Sequence, residues 1–251
     1  MQRAMNLVWA ALLTLSVLGT LPAEAHHARE YLATGSYETL HKSSVFVYVN
    51  EDYVFSEVDN QDSFNGETTP GVVIGWTDHL QTDTHFHMLD LAEDESNRGL
   101  FIESFAFDVK YRFFESGMLP VDIAVDLEYE HPTFTGRSVA GTNPQLIPRL
   151  ILAKELPWGI DVDANFGIRI ELRGEDRDDE WGMAVAMKRP LTDWVTGGLE
   201  FLIPSDADGA TLLPGLYFGK EHGFLVKVGL DIGLSDRADD LGVRMNLGYQ
   251  F

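Results

Sequence analysis

Apolar and polar side chains alternate along the chain from residue 43 onwards, with a period of two residues. Residues 240–251, DLGVRMNLGYQF, show the pattern most clearly, because every second side chain belongs to an apolar set that ends with Tyr249 and Phe251. The intervening set carries Arg244, two amides and two glycines. Successive side chains of a strand point to opposite faces, so this segment predicts a strand with one apolar and one polar face.

Repetition of this alternation predicts twelve strands. Each has close to the roughly ten residues that a tilted strand needs to cross a bilayer. The predicted strands are residues 43–55, 66–76, 81–90, 100–113, 120–130, 144–155, 160–172, 180–189, 194–203, 211–219, 224–234 and 240–251.

Short connections alternate with longer ones in this interpretation. The short turns are residues 77–80, 115–119, 156–159, 191–193 and 220–223, and the longer loops are residues 56–65, 91–99, 131–143, 173–179, 204–210 and 235–239. Outer-membrane barrels combine short periplasmic turns with longer extracellular loops, and an even strand count places both chain ends in the periplasm. The sequence therefore predicts an all-β fold, a closed antiparallel transmembrane β-barrel of about twelve strands over residues 43–251. A soluble β-sandwich or a lipocalin-like barrel is the alternative.

The first 25 residues have the organisation of a secretory signal peptide. A basic residue, Arg3, precedes an apolar run over residues 7–21, and Ala23-Glu24-Ala25 fits a cleavage site. The run is short for a spanning helix, and no later segment approaches about 18 uninterrupted apolar residues. Residues 26–42 are polar and irregular, which predicts a periplasmic lead-in to the barrel.

The aromatic C-terminus predicts how the chain reaches its membrane. A last strand that ends on Phe251 resembles the signal by which the barrel-assembly machinery recognises outer-membrane barrels. We therefore expect export to the outer membrane of a Gram-negative bacterium, with that machinery and outer-membrane lipid as partners.

Charged residues indicate which face of each strand points into the barrel, because Arg or Lys on the lipid face costs about 2–4 kcal/mol at mid-depth. The predicted lumen charges are Asp122, Asp126, Asp161, Asp163, Arg149, Arg169, Lys227 and Arg244. A narrow lumen with both signs of charge favours either passage of small solutes, hydrophobic or cationic, or salt bridges that hold the barrel closed. The first strand is apolar on both faces from Val45 to Val49, so its phase is left open.

Composition excludes one class of partner and limits the chemistry. The formal net charge of −22 excludes nucleic-acid binding, which needs a basic surface, and the absence of cysteine excludes disulfides. The sequence has no Gly-x-Ser-x-Gly motif, and His131 and Ser138 share a predicted loop without a partner motif. We predict that the protein is not an enzyme, with an outer-membrane hydrolase as an alternative.

Histidines carry a separate hypothesis. His26 and His27 would begin the mature chain, and Asp83, His85 and His87 alternate along the third predicted strand and share one face. A metal site built from His26, His27, His85 and His87 would take Cu²⁺ or Zn²⁺, and no other cofactor is expected. The corresponding alternative function is a non-conducting barrel that binds metal or has a structural role. Hydrogen bonding in the lumen explains the same residues without a metal.

Several short segments carry a family resemblance. They are His26-His27, Glu30-Tyr31, Ser36-Tyr37, residues 67–71 (ETTPG), residues 75–80 (GWTDHL) and Asp83 to Phe86. In these segments the chain resembles a group of poorly characterised outer-membrane barrels described as transporters, and it is similar to barrels linked to phenol-degradation pathways. The resemblance covers about the first third of the mature chain. It implies a twelve-stranded barrel and passage of small or hydrophobic molecules, and it implies no catalytic residues.

Overall fold

A computed structural model describes residues 31–58, 61–91, 99–114, 116–133, 143–173, 179–204, 209–219, 223–235 and 241–251. Twelve strands are formed by these residues. They are β1 Val45–Val58, β2 Gln61–Thr77, β3 Leu80–Leu91, β4 Gly99–Arg112, β5 Asp122–Pro132, β6 Gln145–Leu156, β7 Ile160–Glu171, β8 Glu180–Pro190, β9 Val195–Pro204, β10 Thr211–Gly219, β11 Gly223–Gly233 and β12 Leu241–Gln250. The predicted signal peptide, residues 1–25, lies outside the described residues.

Each strand pairs antiparallel with its neighbours in sequence, and the sheet closes on itself. The closure is the β1–β12 ladder, in which Phe46 is opposite Gln250 and Phe55 is opposite Leu241. The predicted fold class, a closed antiparallel barrel of twelve strands, is thereby confirmed. In the described part of the chain, no helix is long and apolar enough to cross a membrane.

Connections differ in length between the two ends of the barrel. At one end, hereafter the turn end, most strands are joined by short segments such as residues 78–79 and 157–159, whereas residues 113–121 join β4 to β5. Phe251 lies at the same end. Residues 92–98 and 133–144 join strands at the opposite end, hereafter the loop end. The predicted loop over residues 56–65 is wrong in extent, because β1 and β2 continue pairing to Val58 and Gln61.

The two faces of the wall follow the predicted alternation. Apolar side chains such as Leu127, Phe166 and Leu247 point outward and are exposed, as a lipid-facing belt requires. The structure also assigns the phase of β1, where Val47 is exposed and Tyr48 is buried. Inward aromatic rings in β1 cover glycines of the adjacent strands, Tyr48 over Gly71 and Phe46 over Gly248.

Three prolines interrupt pairing at equivalent places. The β2–β3 ladder skips from Thr68 to Gly71 around Pro70, and the β6–β7 and β10–β11 ladders skip in the same way around Pro148 and Pro214. Proline has no backbone N–H to donate to the neighbouring strand, so it cannot make the ladder hydrogen bond at its own position. This explains why each ladder is interrupted at a proline.

The segment before β1 lies inside the barrel. Tyr31, Ser36, Tyr37 and Leu40 are almost fully buried although they belong to no strand. The chain leaves the lumen at Ser43, whose φ of 67° is a left-handed conformation, and Ser44 then precedes β1. The sequence predicts a periplasmic lead-in over residues 26–42 and does not anticipate this placement, which follows from contacts with distant strands.

Candidate functional site

The inward face of the barrel carries the charges that the sequence assigns to the lumen. All eight lie at inward positions of their strands: Asp122, Asp126, Asp161, Asp163, Arg149, Arg169, Lys227 and Arg244. The structure does not bring them together into one site. Some contact the segment inside the barrel, some form two ion-pair clusters in the wall, and some lie near the barrel ends.

Residues 31–42, hereafter the plug, occupy the turn-end part of the lumen. The side chains of the plug pack against the wall in three clusters of buried residues. Tyr31 packs with Ala186 and Tyr217, Tyr37 with Ala124, Ile151 and Ala153, and Leu40 with Tyr48 and Val73. The contacted strands lie on different sides of the barrel, so the plug crosses the lumen.

Glu200 holds the start of the plug. Its carboxylate is fully buried and accepts hydrogen bonds from three successive backbone N–H groups, those of Leu32 (2.7 Å), Ala33 (3.0 Å) and Thr34 (2.7 Å). The hydroxyl of Tyr217 donates to the same carboxylate at 3.3 Å. Hydrogen bonds to an ionised acceptor are stronger than neutral ones, so Glu200 is the principal polar anchor of this part of the plug.

Asp163 holds the middle of the plug. One carboxylate oxygen accepts from the Tyr31 hydroxyl at 2.7 Å and the other accepts from the Tyr37 backbone N–H at 2.8 Å. On the same wall, the ammonium group of Lys188 lies 5.2 Å from the centre of the Tyr31 ring. Burial raises the pKa of the Tyr31 hydroxyl, so this group remains a donor at neutral pH.

Cationic side chains bind plug carbonyls. Lys110 donates to the carbonyl of Ser36 at 3.1 Å, and Lys227 donates to the carbonyl of Tyr31 at 3.4 Å. The amide of Asn165 donates to the carbonyl of Gly35 at 2.9 Å. Charges predicted to line a passage therefore serve partly to hold the plug.

The end of the plug lies against the β2–β3 turn. The Leu40 N–H donates to the Gln81 side chain at 2.8 Å, and the Lys42 N–H donates to the Asp78 carboxylate at 3.0 Å. The Lys42 N–H holds the pKa of Asp78 below its usual range. The backbone of the plug passes close to Gly75. A Cβ at this position would collide with the carbonyl oxygen of His41 and lie 2.9 Å from that of Leu40.

Arg149 is the centre of the first ion-pair cluster in the wall. Its guanidinium contacts the carboxylates of Asp126 at 2.8 Å and Asp108 at 3.6 Å, and it forms a further ion pair with Glu128. Three carboxylates thus surround one cation, an arrangement that joins β4, β5 and β6 across the inner face.

The second cluster joins β1, β11 and β12. The Arg244 guanidinium lies 2.5 Å from the carboxylate of Asp231 and 3.3 Å from that of Asp52. Because β1 and β12 are the first and last strands, this cluster spans the closure of the barrel.

Two predicted lumen charges form hydrogen bonds or ion pairs with neighbouring parts of the wall. Asp122 accepts from the Ser116 hydroxyl at 3.1 Å and from the Gly117 N–H at 2.9 Å, which stabilises the β4–β5 turn. Arg169 is half exposed near the loop end and pairs with Glu180 at 3.0 Å. Their contacts are local to each end of the wall.

A cavity of about 220 Å³ lies between the plug and the wall. Plug residues such as Thr34 and Gly35 form one side of it. The other side is formed by Asp83, His85, Asp108, Asp126, Glu128 and Arg149, among others. Four of these six residues are carboxylates, whereas Lys110 and Lys227 also line the cavity. The side of the cavity next to Asp83 therefore favours positively charged occupants.

The histidines divide into separate environments. His85 lies between Asp83 and Asp108, whereas His87 forms an ion pair with Glu67. The two imidazole rings are 4.9 Å apart and nearly perpendicular. His26 and His27 lie outside the described residues, so their predicted role with His85 and His87 stays a prediction.

The loop pair considered for hydrolysis is only partly described. The His131 imidazole lies 3.2 Å from the hydroxyl of Tyr129, and Ser138 lies outside the described residues. The described contact of His131 is thus with a phenol, on the outward face of β5.

Sequence reasoning predicted the inward orientation of these charges but not the plug. The alternation rule applies only to strands, and residues 31–42 have no period that would place them. One local signal accompanies the plug, namely inward glycines at Gly75, Gly215 and Gly229 that approach it closely. That signal is interpretable only once strand register is known.

Comparison with solved structures supports the fold. An outer-membrane channel from Pseudomonas putida is similar over 86% of this chain and 98% of its own, with 12% identity and a TM-score of 0.57. The NanC porin is similar over 81% and 98%, with 10% identity and a TM-score of 0.57. The KdgM porin is similar over 82% and 98%, with 9% identity and a TM-score of 0.53.

These similarities define how far the family resemblance extends. At such low identity they show a shared fold, that of outer-membrane barrels, and the likeness to the phenol-degradation group stays a prediction. The sequence matches no protein-family model and no curated protein.

Proposed function

We propose that the protein is a channel for small solutes in the outer membrane of a Gram-negative bacterium, closed at rest by its own plug. The observation that carries the proposal is the way in which the plug is held. Its backbone N–H groups donate to carboxylates of the wall, chiefly Glu200 and Asp163. Water can replace such hydrogen bonds, so the plug can leave its position without breaking the barrel ladders.

The apolar contacts of the plug are compatible with this release. Within the described part of the chain, they form three small separate clusters around Tyr31, Tyr37 and Leu40, in place of one continuous core. Segments with few buried apolar contacts are those that open locally at low free-energy cost. The strands, in contrast, are paired on both sides around a closed sheet.

The lumen favours small cationic solutes. Acidic side chains on the inner face include Asp52, Glu67, Asp83, Asp108, Asp126, Glu128, Glu130, Asp161, Asp163, Glu200 and Asp231, and the basic ones include Lys110, Arg112, Arg149, Lys188, Lys227 and Arg244. Charged rings inside a barrel set ion selectivity. Passage of solute, with no catalytic step, is the function proposed for this lumen. The structural neighbours named as channels and porins favour the same function.

A reversible tether of the plug tests the proposal. The chain has no cysteine, and a Cβ at Gly215 would lie 3.0 Å from the Leu32 side chain. In the double variant Leu32→Cys/Gly215→Cys, oxidation should link the plug to β10. Single-channel recordings in planar bilayers should show infrequent cation-selective openings for the wild type, none for the oxidised variant, and recovery of openings on reduction.

Controls make each outcome interpretable. Each single-cysteine variant should behave the same with and without oxidant, and heat-modifiable gel mobility should verify folding of every sample. A correctly folded wild type without openings would refute the channel proposal. Openings that persist after complete cross-linking would refute the role of the plug.

A further inference from the structure

We propose that Asp83, His85 and Asp108 form a binding site for a borderline divalent cation such as Zn²⁺ in the lumen wall. Among the described residues, this trio has its potential ligand atoms within 4.8 Å of one another. Asp83 and His85 are two residues apart on β3, and Asp108 is directly opposite Asp83 on β4. The site goes beyond the proposed channel function, since it requires no movement of the plug.

Cross-strand geometry is the first reason. Like charges directly opposite each other destabilise a strand pair, and Asp83 and Asp108 are such a pair. Arg149 offsets part of this charge from the far side of Asp108, but the same guanidinium also pairs with Asp126 and Glu128. A cation between Asp83 and Asp108 would offset the remaining repulsion.

The buried imidazole is the second, independent reason. His85 is only 9% exposed, and its Nδ1 atom has no hydrogen-bond partner among the residues that the structure describes. Nδ1 lies 3.7 Å from an oxygen of Asp83 and 3.5 Å from an oxygen of Asp108. Both distances are too long for a hydrogen bond. A buried polar atom without a partner calls for an explanation, and a bound ion beside two carboxylates is one that fits this position.

These separations fit metal coordination. Two ligand atoms at about 2.1 Å from a tetrahedral metal ion are about 3.4 Å apart, close to the two distances from Nδ1. One nitrogen and two carboxylate oxygens favour borderline first-row cations, whereas Ca²⁺ requires six to eight oxygen ligands. The trio lines the cavity beside the plug, so a further coordination position faces that space.

Outer contacts already orient the carboxylates. The Tyr48 hydroxyl donates to Asp83 at 2.7 Å, and Arg149 lies 3.6 Å from the second oxygen of Asp108. Ligands of metal sites are commonly fixed by such hydrogen bonds and ion pairs. His87, which the sequence groups with His85, pairs with Glu67 and is not a member of this site.

Titration of the folded full chain with Zn²⁺ tests the proposal. Calorimetry in detergent, with His26→Ala and His27→Ala to remove chelation by those histidines, should show a saturable site of about one Zn²⁺ per chain. His85→Gln and Asp108→Asn should each weaken this site at least tenfold, since loss of an outer contact alone costs about 10–100-fold in other metal sites. A tenfold excess of Mg²⁺ should not compete.

Two control variants and a further variant of a ligand residue distinguish binding at this site from binding elsewhere on the protein. Glu171→Gln, whose carboxylate contacts Asn143, and His87→Gln should retain the wild-type affinity for Zn²⁺. Asp83→Asn keeps an acceptor for Tyr48 and should still lose affinity. Absence of saturable binding to the folded chain, or an affinity unchanged by His85→Gln, would overturn the proposal. Neither result depends on conductance, so failure of this site is distinguishable from failure of the channel.

Discussion

Replacement of Glu200 by glutamine should release the plug and increase channel opening. The carboxylate accepts from Leu32 through one oxygen and from Ala33 and Thr34 through the other. An amide has a single acceptor oxygen, so Glu200→Gln can retain the bonds to one side only, and its NH₂ group then faces a backbone donor. Hydrogen bonds to a charged group contribute about 1.5–3 kcal/mol each.

The expected change in open probability follows from this loss. The lower desolvation cost of a neutral side chain offsets part of it, which leaves about 2 kcal/mol and shifts the closed-to-open ratio by about 30-fold. Single-channel recording measures the shift directly, and Glu171→Gln is the matched control because it makes the same chemical change at an inward position that contacts Asn143. If folded Glu200→Gln opens no more often than the wild type, the assignment of Glu200 as the anchor is wrong.

Three further variants examine other contacts of the wall. Gly75→Ala should displace the plug and raise open probability, because its methyl group meets the backbone of His41. Gly182→Ala, whose Cβ would have no described atom within 4 Å, should show the open probability of the wild type. Arg149→Met leaves three carboxylates without their shared cation and should lower the free energy of unfolding in urea by about 2 kcal/mol, against less than about 0.5 kcal/mol for the half-exposed Arg169→Gln. The Lys42 N–H lowers the pKa of Asp78, so the hydrogen bond between them should persist at pH values above the ordinary aspartate pKa and be lost as the pH falls below about 4. Acid should therefore raise the open probability of the wild type, and raise it less in Asp78→Asn.

The fold was predictable because its main signal is local. In β5 and β7 the charges occupy alternate positions, and in β12 the one charge, Arg244, lies on the face opposite the apolar side chains. The cost of a charge in lipid therefore determines the phase without knowledge of any neighbour. In β1 that signal is missing between Val45 and Val49. Its phase depends on the rings of Phe46 and Tyr48 covering glycines of β12 and β2, which requires the register of three strands.

The candidate site was less predictable because its contacts are distant in sequence. Leu32 and Glu200 are 168 residues apart, and Tyr31 and Asp163 are 132 residues apart. An inward Asp or Glu looks the same in sequence whether it binds water, a cation, an arginine or the plug. The division of the lumen charges among these roles therefore emerges only from the tertiary structure.

Glu51 is an exception to the face rule, and its position leads to a last prediction. It lies on the outward face of β1, opposite Met245, where Thr68 and Tyr53 donate to the same carboxylate oxygen at 2.9 Å and 3.1 Å. With a rise of about 3.3 Å per residue and a strand tilt of about 40°, Glu51 and Val45 are separated by about 15 Å along the barrel axis. This height places Glu51 inside an apolar band about 25 Å tall. Glu51→Gln keeps an oxygen that can accept both hydrogen bonds and removes the charge.

The free energy of unfolding from lipid vesicles should therefore stay unchanged or rise by up to about 2 kcal/mol, less than the cost of a basic residue at the same depth. Glu51→Leu, which removes both hydrogen bonds as well, separates the effect of charge from that of bonding. A fall in stability of more than about 1 kcal/mol for Glu51→Gln would contradict a lipid-facing carboxylate, because only a partner for the charge on the outer surface would make its removal costly.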